Sequence, residues 1–190
     1  MMKRFRRAPL FKPVWLITMA VAVTSVLLFW FILRDLPAMS NGTHVPWWAI
    51  AAGMAVAESL VVHLHFRSES GTFSFFEIPL AVGLIFTEPG GVWVATVVGL
   101  SIALMVVRRQ APIKVVFNIA NLSLHAGVAA VLMNALSPAD PLEPAGWQVL
   151  VLAIAAGGLV QIIPLAAVIN ATVDGLEMVW AKPMGKASSV

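Results

Sequence analysis

The chain has 190 residues, of which 60% are hydrophobic and only 11% charged, with a mean hydropathy of +0.92. So little polar side chain cannot cover a water-soluble globule, and the expected solvent for most of the surface is a bilayer. The lack of cysteine excludes disulfides, thiolate metal sites and a cysteine nucleophile, and the formal charge of +3 comes mainly from one amino-terminal cluster that fits topology and anionic lipid better than nucleic acid.

The first thirteen residues, MMKRFRRAPLFKP, are a basic cytoplasmic segment ahead of an apolar run, Val14 to Leu33, that is longer than a usual signal-peptide core and reads as a retained anchor. Five more apolar runs follow: Pro46 to Leu64, Phe73 to Phe86, Gly91 to Val107, Lys114 to Leu136 and Trp147 to Asn170. A span of about 20 residues crosses a hydrocarbon core of about 30 Å, which makes the expected fold an all-α, six-transmembrane helix bundle over residues 14–170 with a cytoplasmic helix or tail over 171–190. The third run is short for this purpose, and a tilted, buried partner helix fits it better than a re-entrant segment.

Basic residues sort by loop. With the amino terminus inside, Lys3, Arg4, Arg6, Arg7, Lys12, Arg67, Arg108, Arg109, Lys114, Lys182 and Lys186 are cytoplasmic and only Arg34 is outside, so eleven of the 12 Lys and Arg obey the positive-inside rule. This predicts a multi-pass protein of a bacterial inner membrane with both termini cytoplasmic. Between the second and third runs, Val62, Leu64 and Phe66 alternate with His63, His65 and Arg67. Period two is consistent with a small β-hairpin turning over Ser68 to Gly71 at the cytoplasmic boundary, and a frayed helix end accounts for it equally well.

Ionisable and amide side chains at bilayer depth are costly, so each one is a candidate for function. Glu58 in the second run is either an interhelical hydrogen-bond partner or a ligand or proton group. On the fifth run, Lys114, Asn118, Asn121 and His125 are spaced four, three and four apart. At ~100° per residue that confines them to a wedge of about 60°, one polar stripe expected to line a cavity. Ser74 and Glu77 have capping-box spacing, with Pro79 in the first turn of the helix they would start. Gln161 and Pro164 mark a kink or a cavity wall, and Gly157 and Gly158 allow close helix packing. No metalloprotease, serine-hydrolase or phosphate-loop motif is present, and His63 and His65 lack further ligands for a metal, so no catalytic residue, cofactor or metal site is expected.

Two segments, HFRSESGTFSFFEIPLAVGLIF from His65 to Phe86 and IKVVFNIANLSL from Ile113 to Leu124, resemble the amino-terminal membrane sensor region of bacterial, especially actinobacterial, GGDEF and EAL proteins of cyclic-di-GMP signalling. Phe66 with Arg67, Phe73 to Phe76, Glu77 to Leu80, Lys114, and Phe117 with Asn118 stand at the positions that carry the resemblance. It implies an integral membrane sensor that relays a small ligand or membrane signal to a cytosolic GGDEF or EAL output; that output would lie beyond Val190. Spacing and the cost of exposing polar groups to lipid give the expected ligand-binding or signalling set: Glu58, Asn118, Asn121 and His125 lining a shared pocket, with Arg67 and Glu77 bracing its cytoplasmic mouth. Six-span substrate-binding subunits of vitamin-type transporters have a similar length and loop pattern and give the alternative reading.

Past the sixth run, Ile169, Val173, Leu176 and Trp180 are spaced four, three and four, with Asn170, Asp174 and Glu177 on another face. This is either a short dimer seam passing a signal across a homodimer, or an interfacial helix anchored on lipid by Trp180.

Overall fold

The computed structural model describes residues 11–39, 43–60, 62–66, 69–73, 75–136 and 141–180, and the side chains of 13–39, 43–60, 75–136 and 141–172. The described chain is a helical bundle built from α1 (Phe11–Phe31), α2 (Trp47–Ser59), β1 (Val62–Phe66), β2 (Glu69–Phe73), α3 (Glu77–Phe86), α4 (Pro89–Ser101), α5 (Pro112–Leu136) and α6 (Pro144–Trp180). Four helical stretches are long and apolar enough to cross a membrane: Pro13–Asp35, Pro89–Val107, Pro112–Leu136 and Pro144–Thr172. Their outward faces are apolar, as a lipid-facing surface requires: Leu16, Phe31, Leu159 and Ile163 are all largely exposed.

The second and third apolar runs behave differently from the other four. Helix α2 has 13 residues and α3 has 10, about 20 Å and 15 Å of helix, and neither matches the ~30 Å core alone. The second run, expected to stay helical to Leu64, leaves the helical conformation at Leu60, and the alternating segment after it is extended. Strands β1 and β2 pair antiparallel in the register Val62 with Phe73 and Phe66 with Glu69. Glu69, Ser70 and Gly71, expected in the turn, are paired in β2, while Arg67 and Ser68 lie outside the described residues.

The start of α3 also departs from expectation. Its first residue is Glu77, preceded by Phe76 with no side-chain cap hydrogen bond, and the Ser74 half of the expected capping box lies outside the described residues. Pro79 is tolerated because a first-turn N–H has no intrahelical acceptor. Helix α4 begins with Pro89 in the position that best suits proline and ends in a π-helical turn, Ile102–Val107, closed by the Arg108 N–H on the Ala103 carbonyl at 2.9 Å.

Helix α5 is the centre of the bundle, packed by α1, α4 and α6, with Ala126, Ala129, Ala130 and Met133 buried. Small residues bring the helices close. A methyl on Gly99 of α4 would stand 2.5 Å from the Ala51 carbonyl oxygen of α2. At one end of the bundle, the Val45 N–H donates to the Phe86 carbonyl at 2.9 Å and the Thr87 hydroxyl to the Val45 carbonyl at 2.7 Å, tying α2 to α3 and α4. The same end holds Arg34, which pairs with Asp35 at 3.2 Å and lies over Trp30.

Candidate functional site

The expected polar set divides into three groups. Asn121 and His125, both on α5 and both buried, turn toward α6. His125 Nδ1 is 2.9 Å from Gln161 Oε1, and the Asn121 amide donates to the Gln161 carbonyl oxygen at 3.3 Å. Glu77 reaches the same place from α3, its Oε2 3.8 Å from His125 Nε2, while the Phe76 ring meets the imidazole edge-on with centroids 5.8 Å apart. Three elements thus meet around one buried imidazole.

Two features of α6 make this approach geometrically possible. Gly157 lies against the histidine so closely that a methyl there would collide with His125 Cδ2 and stand 2.7 Å from the His125 carbonyl oxygen. Pro164 follows Gln161 within the same helix and removes the N–H that would have bonded to the Val160 carbonyl. The Asn121 amide supplies a donor to the neighbouring carbonyl, that of Gln161, as polar side chains do beside a proline inside a helix.

Glu58 belongs elsewhere. It is buried near the end of α2 and accepts a hydrogen bond from Arg108 Nη1 at 2.5 Å, across 50 residues of sequence. The π-helical turn sets the register in which Arg108 meets it, and Arg109 just beyond takes a left-handed backbone with φ 47°. Asn118 is also separate: its amide donates to Gln110 Oε1 at 3.2 Å. Lys114 is exposed. The expected single stripe along α5 therefore breaks up, with the cation at the surface, one amide held locally and only the inner pair facing another helix.

The chemistry of the cluster is set by what is left over. His125 Nε2 and Asn121 Oδ1 are buried without a hydrogen-bond partner, and Ser123 Oγ shares that condition on another face of α5. Such atoms are uncommon in folded proteins and ask for an explanation such as an occupant or a functional role. Ser123 borders a separate cavity of about 260 Å³ between α1, α4 and α5, next to Ser25, whose hydroxyl accepts from Trp93 Nε1 at 3.0 Å. Sequence reasoning missed Arg108 as the partner of Glu58, because it was counted only among the topology-setting cations, and it missed the Trp93–Ser25 contact altogether. Among the described residues no group of three or more His, Asp or Glu is placed to hold a metal ion.

The chain matches no family model, no curated protein and no solved structure.

Proposed function

We propose that the chain is the membrane-embedded sensory module of a bacterial signalling protein, crossing the inner membrane six times with both termini cytoplasmic. The observation that carries this reading is the incompletely satisfied polar cluster in which buried Asn121 and His125 meet Gln161 and the half-exposed Glu77, joining α3 and α5 to the helix leading out of the bundle. A side-chain or ligand change at His125 acts directly on α6, and α6 is built to carry it away. It runs unbroken through 37 residues, about 55 Å, well beyond the ~30 Å that the hydrocarbon core needs.

In this reading α2 and α3 are short crossings joined by the β1–β2 hairpin at the cytoplasmic boundary, and Arg108, Arg109 and Lys114 face the cytoplasm while Arg34 faces out. The output is a homodimeric continuation of α6 along Ile169, Val173, Leu176 and Trp180, feeding a cytosolic GGDEF or EAL domain of cyclic-di-GMP signalling. The vitamin-transport alternative has less support. The larger cavity, an open groove of about 620 Å³ between α2 and α3, is lined by apolar residues from Val45 to Val82, with no side chain to orient a polar vitamin.

Single cysteines at Val173, Leu176 and Trp180 in this cysteine-free chain test the output. They are expected to crosslink more than cysteines at Asp174 or Glu177, and Leu at His125 is expected to change the ratio. Equal crosslinking at all five positions, insensitive to His125, refutes the sensory reading. Topology is tested by reporter fusions: periplasmic activity of a fusion after Arg109 refutes the six-crossing arrangement.

A further inference from the structure

A serine or threonine hydroxyl inside a helix commonly returns to its own backbone, donating to a carbonyl one turn back. Thr18, Thr24, Ser59, Thr96, Ser101 and Thr172 all do so, each bonding to the carbonyl four residues earlier. Among the described helical residues, Ser25 and Ser123 depart from that pattern. Both are buried, and both border the cavity of about 260 Å³ between α1, α4 and α5. Ser123 Oγ has no hydrogen-bond partner, so none fixes its rotamer. Ser25 Oγ accepts from the indole N–H of Trp93, and no described acceptor takes the hydrogen that Ser25 itself carries. A hydroxyl that accepts a hydrogen bond is polarised into a better donor. One otherwise apolar cavity is thus bordered by two uncommitted O–H donors on facing helices.

Helices α1 and α4 both pack on α5 but scarcely approach each other. Trp93 bridges the cleft between them, bonded to Ser25 and stacked on Phe29 with centroids 4.6 Å apart, while Val26 and Val116 on the cavity rim are exposed. We propose that this cleft binds, from the bilayer, a lipophilic ring compound bearing a neutral carbonyl, the chemical class of the membrane quinones. Its carbonyl oxygen accepts from Ser25 and Ser123, and its tail leaves past Val26 and Val116. Volume sets the size: an apolar cavity of about 150 Å³ already holds benzene, so this one takes a single substituted ring. The walls set the charge. Among the described residues none that lines the cavity is ionisable, and an unpaired ion at bilayer depth is costly. Depth excludes the acyl esters of ordinary lipid, because Ser25 and Ser123 lie near the middle of the apolar stretches Pro13–Asp35 and Pro112–Leu136, about 15 Å of hydrocarbon from either headgroup region. Ser123 and His125 stand on different faces of α5, so this site goes beyond the sensory reading and does not rest on it.

The test uses the full chain in lipid nanodiscs with ¹⁵N-labelled tryptophan, the Trp93 indole signal being assigned by its loss in Trp93→Phe. A benzoquinone with a decyl tail is expected to shift that signal saturably with its mole fraction in the lipid. Decylbenzene, which has ring and tail but no carbonyl, is expected to bind at least about five-fold more weakly. Ser123→Ala is expected to weaken quinone binding about five-fold, the size of one neutral hydrogen bond, without lowering the unfolding temperature, since its hydroxyl has no partner to lose. Thr24→Val, beside Ser25 but bonded back to Ala20, is expected to bind as wild type. Equal binding of quinone and decylbenzene overturns the proposal, leaving only an apolar cavity, as does wild-type affinity in Ser123→Ala or the absence of a saturable shift. If Ser123→Ala does not fold, the decylbenzene comparison decides alone. Nanodiscs of ether-linked lipid, which carry no acyl carbonyl, separate the two sources of that group. Equal quinone affinity in ether-linked and ester-linked discs supports the free ring compound, and tighter binding in ether-linked discs shows that lipid esters occupy the site and overturns it.

Discussion

Glu58 and Glu77 each stand beside a basic side chain, Glu58 buried and Glu77 half exposed, yet one pair is closed and the other open. Glu58 meets Arg108 at 2.5 Å, between the ends of α2 and α4, with the charge-assisted geometry that offsets the cost of burial. Glu77 stops 3.8 Å short of His125, and the acceptors around it are unmatched. The closed pair fastens two helices, and removing either partner strands a charge. The open pair leaves His125 Nε2 without a hydrogen bond. Arginine supplies several fixed donors and stays ionised, whereas the His125 ring commits its Nδ1 to Gln161 Oε1.

The largest expected effect breaks the closed pair. Arg108→Met leaves Glu58 buried and uncompensated and is expected to cost about 3 kcal/mol in mixed-micelle unfolding, with Glu58→Gln in the same chain recovering most of it. Glu77→Gln, which removes a half-exposed carboxylate that makes no hydrogen bond to His125, is expected to cost under about 1 kcal/mol on the same scale. Similar losses for Arg108→Met and Glu77→Gln would abolish the distinction between the two pairs.

A smaller effect probes how α6 reaches the open pair. Gly157→Ala places a methyl against the ring and backbone of His125, neither of which is a flexible chain end. A loss of about 1–3 kcal/mol is expected from overpacking. Gly158→Ala meets nothing nearer than the His125 ring at 4.0 Å and is expected to stay within about 0.5 kcal/mol of wild type. Wild-type stability of Gly157→Ala would mean that α6 does not pack on His125 as described.

Much of this was legible in the sequence, and the rest was not for identifiable reasons. The apolar runs and the spacing of Asn118, Asn121 and His125 follow from local periodicity, and α1, α4, α5 and α6 form where the runs predicted them. Gln161 and Gly157 were singled out by residue type alone, since a polar side chain and a glycine in an apolar run each need a reason. Periodicity gives an angle around a helix axis and says nothing of what stands opposite. It therefore left open whether Glu58 joins the α5 stripe or serves as an interhelical hydrogen-bond partner, and Arg108, 50 residues away, makes it the latter. The length of α2 was misjudged because Val62 and Leu64 are apolar enough to prolong a span, while their alternation with His63 and His65 favours extended pairing; the shortness of α3 was legible in its run. The assignment of Arg67 to the site falls outside the described residues, as do the side chains of Val173, Leu176 and Trp180.

The smallest expected effect sharpens the comparison within α5 itself. Asn118 and Asn121 are the same residue type three positions apart, but Asn118 donates to Gln110 near the start of α5, whereas Asn121 reaches α6 and keeps an unpaired oxygen beside His125. Asn118→Leu loses one amide contact of the kind worth ~0.6 kcal/mol in membrane proteins, and it should leave the NMR signals of the His125 ring unchanged. Asn121→Ser, which removes the contact to the Gln161 carbonyl oxygen next to His125, should shift them. If the two variants instead shift the His125 signals equally, the stripe acts as one continuous polar surface that extends down α5 to Gln110.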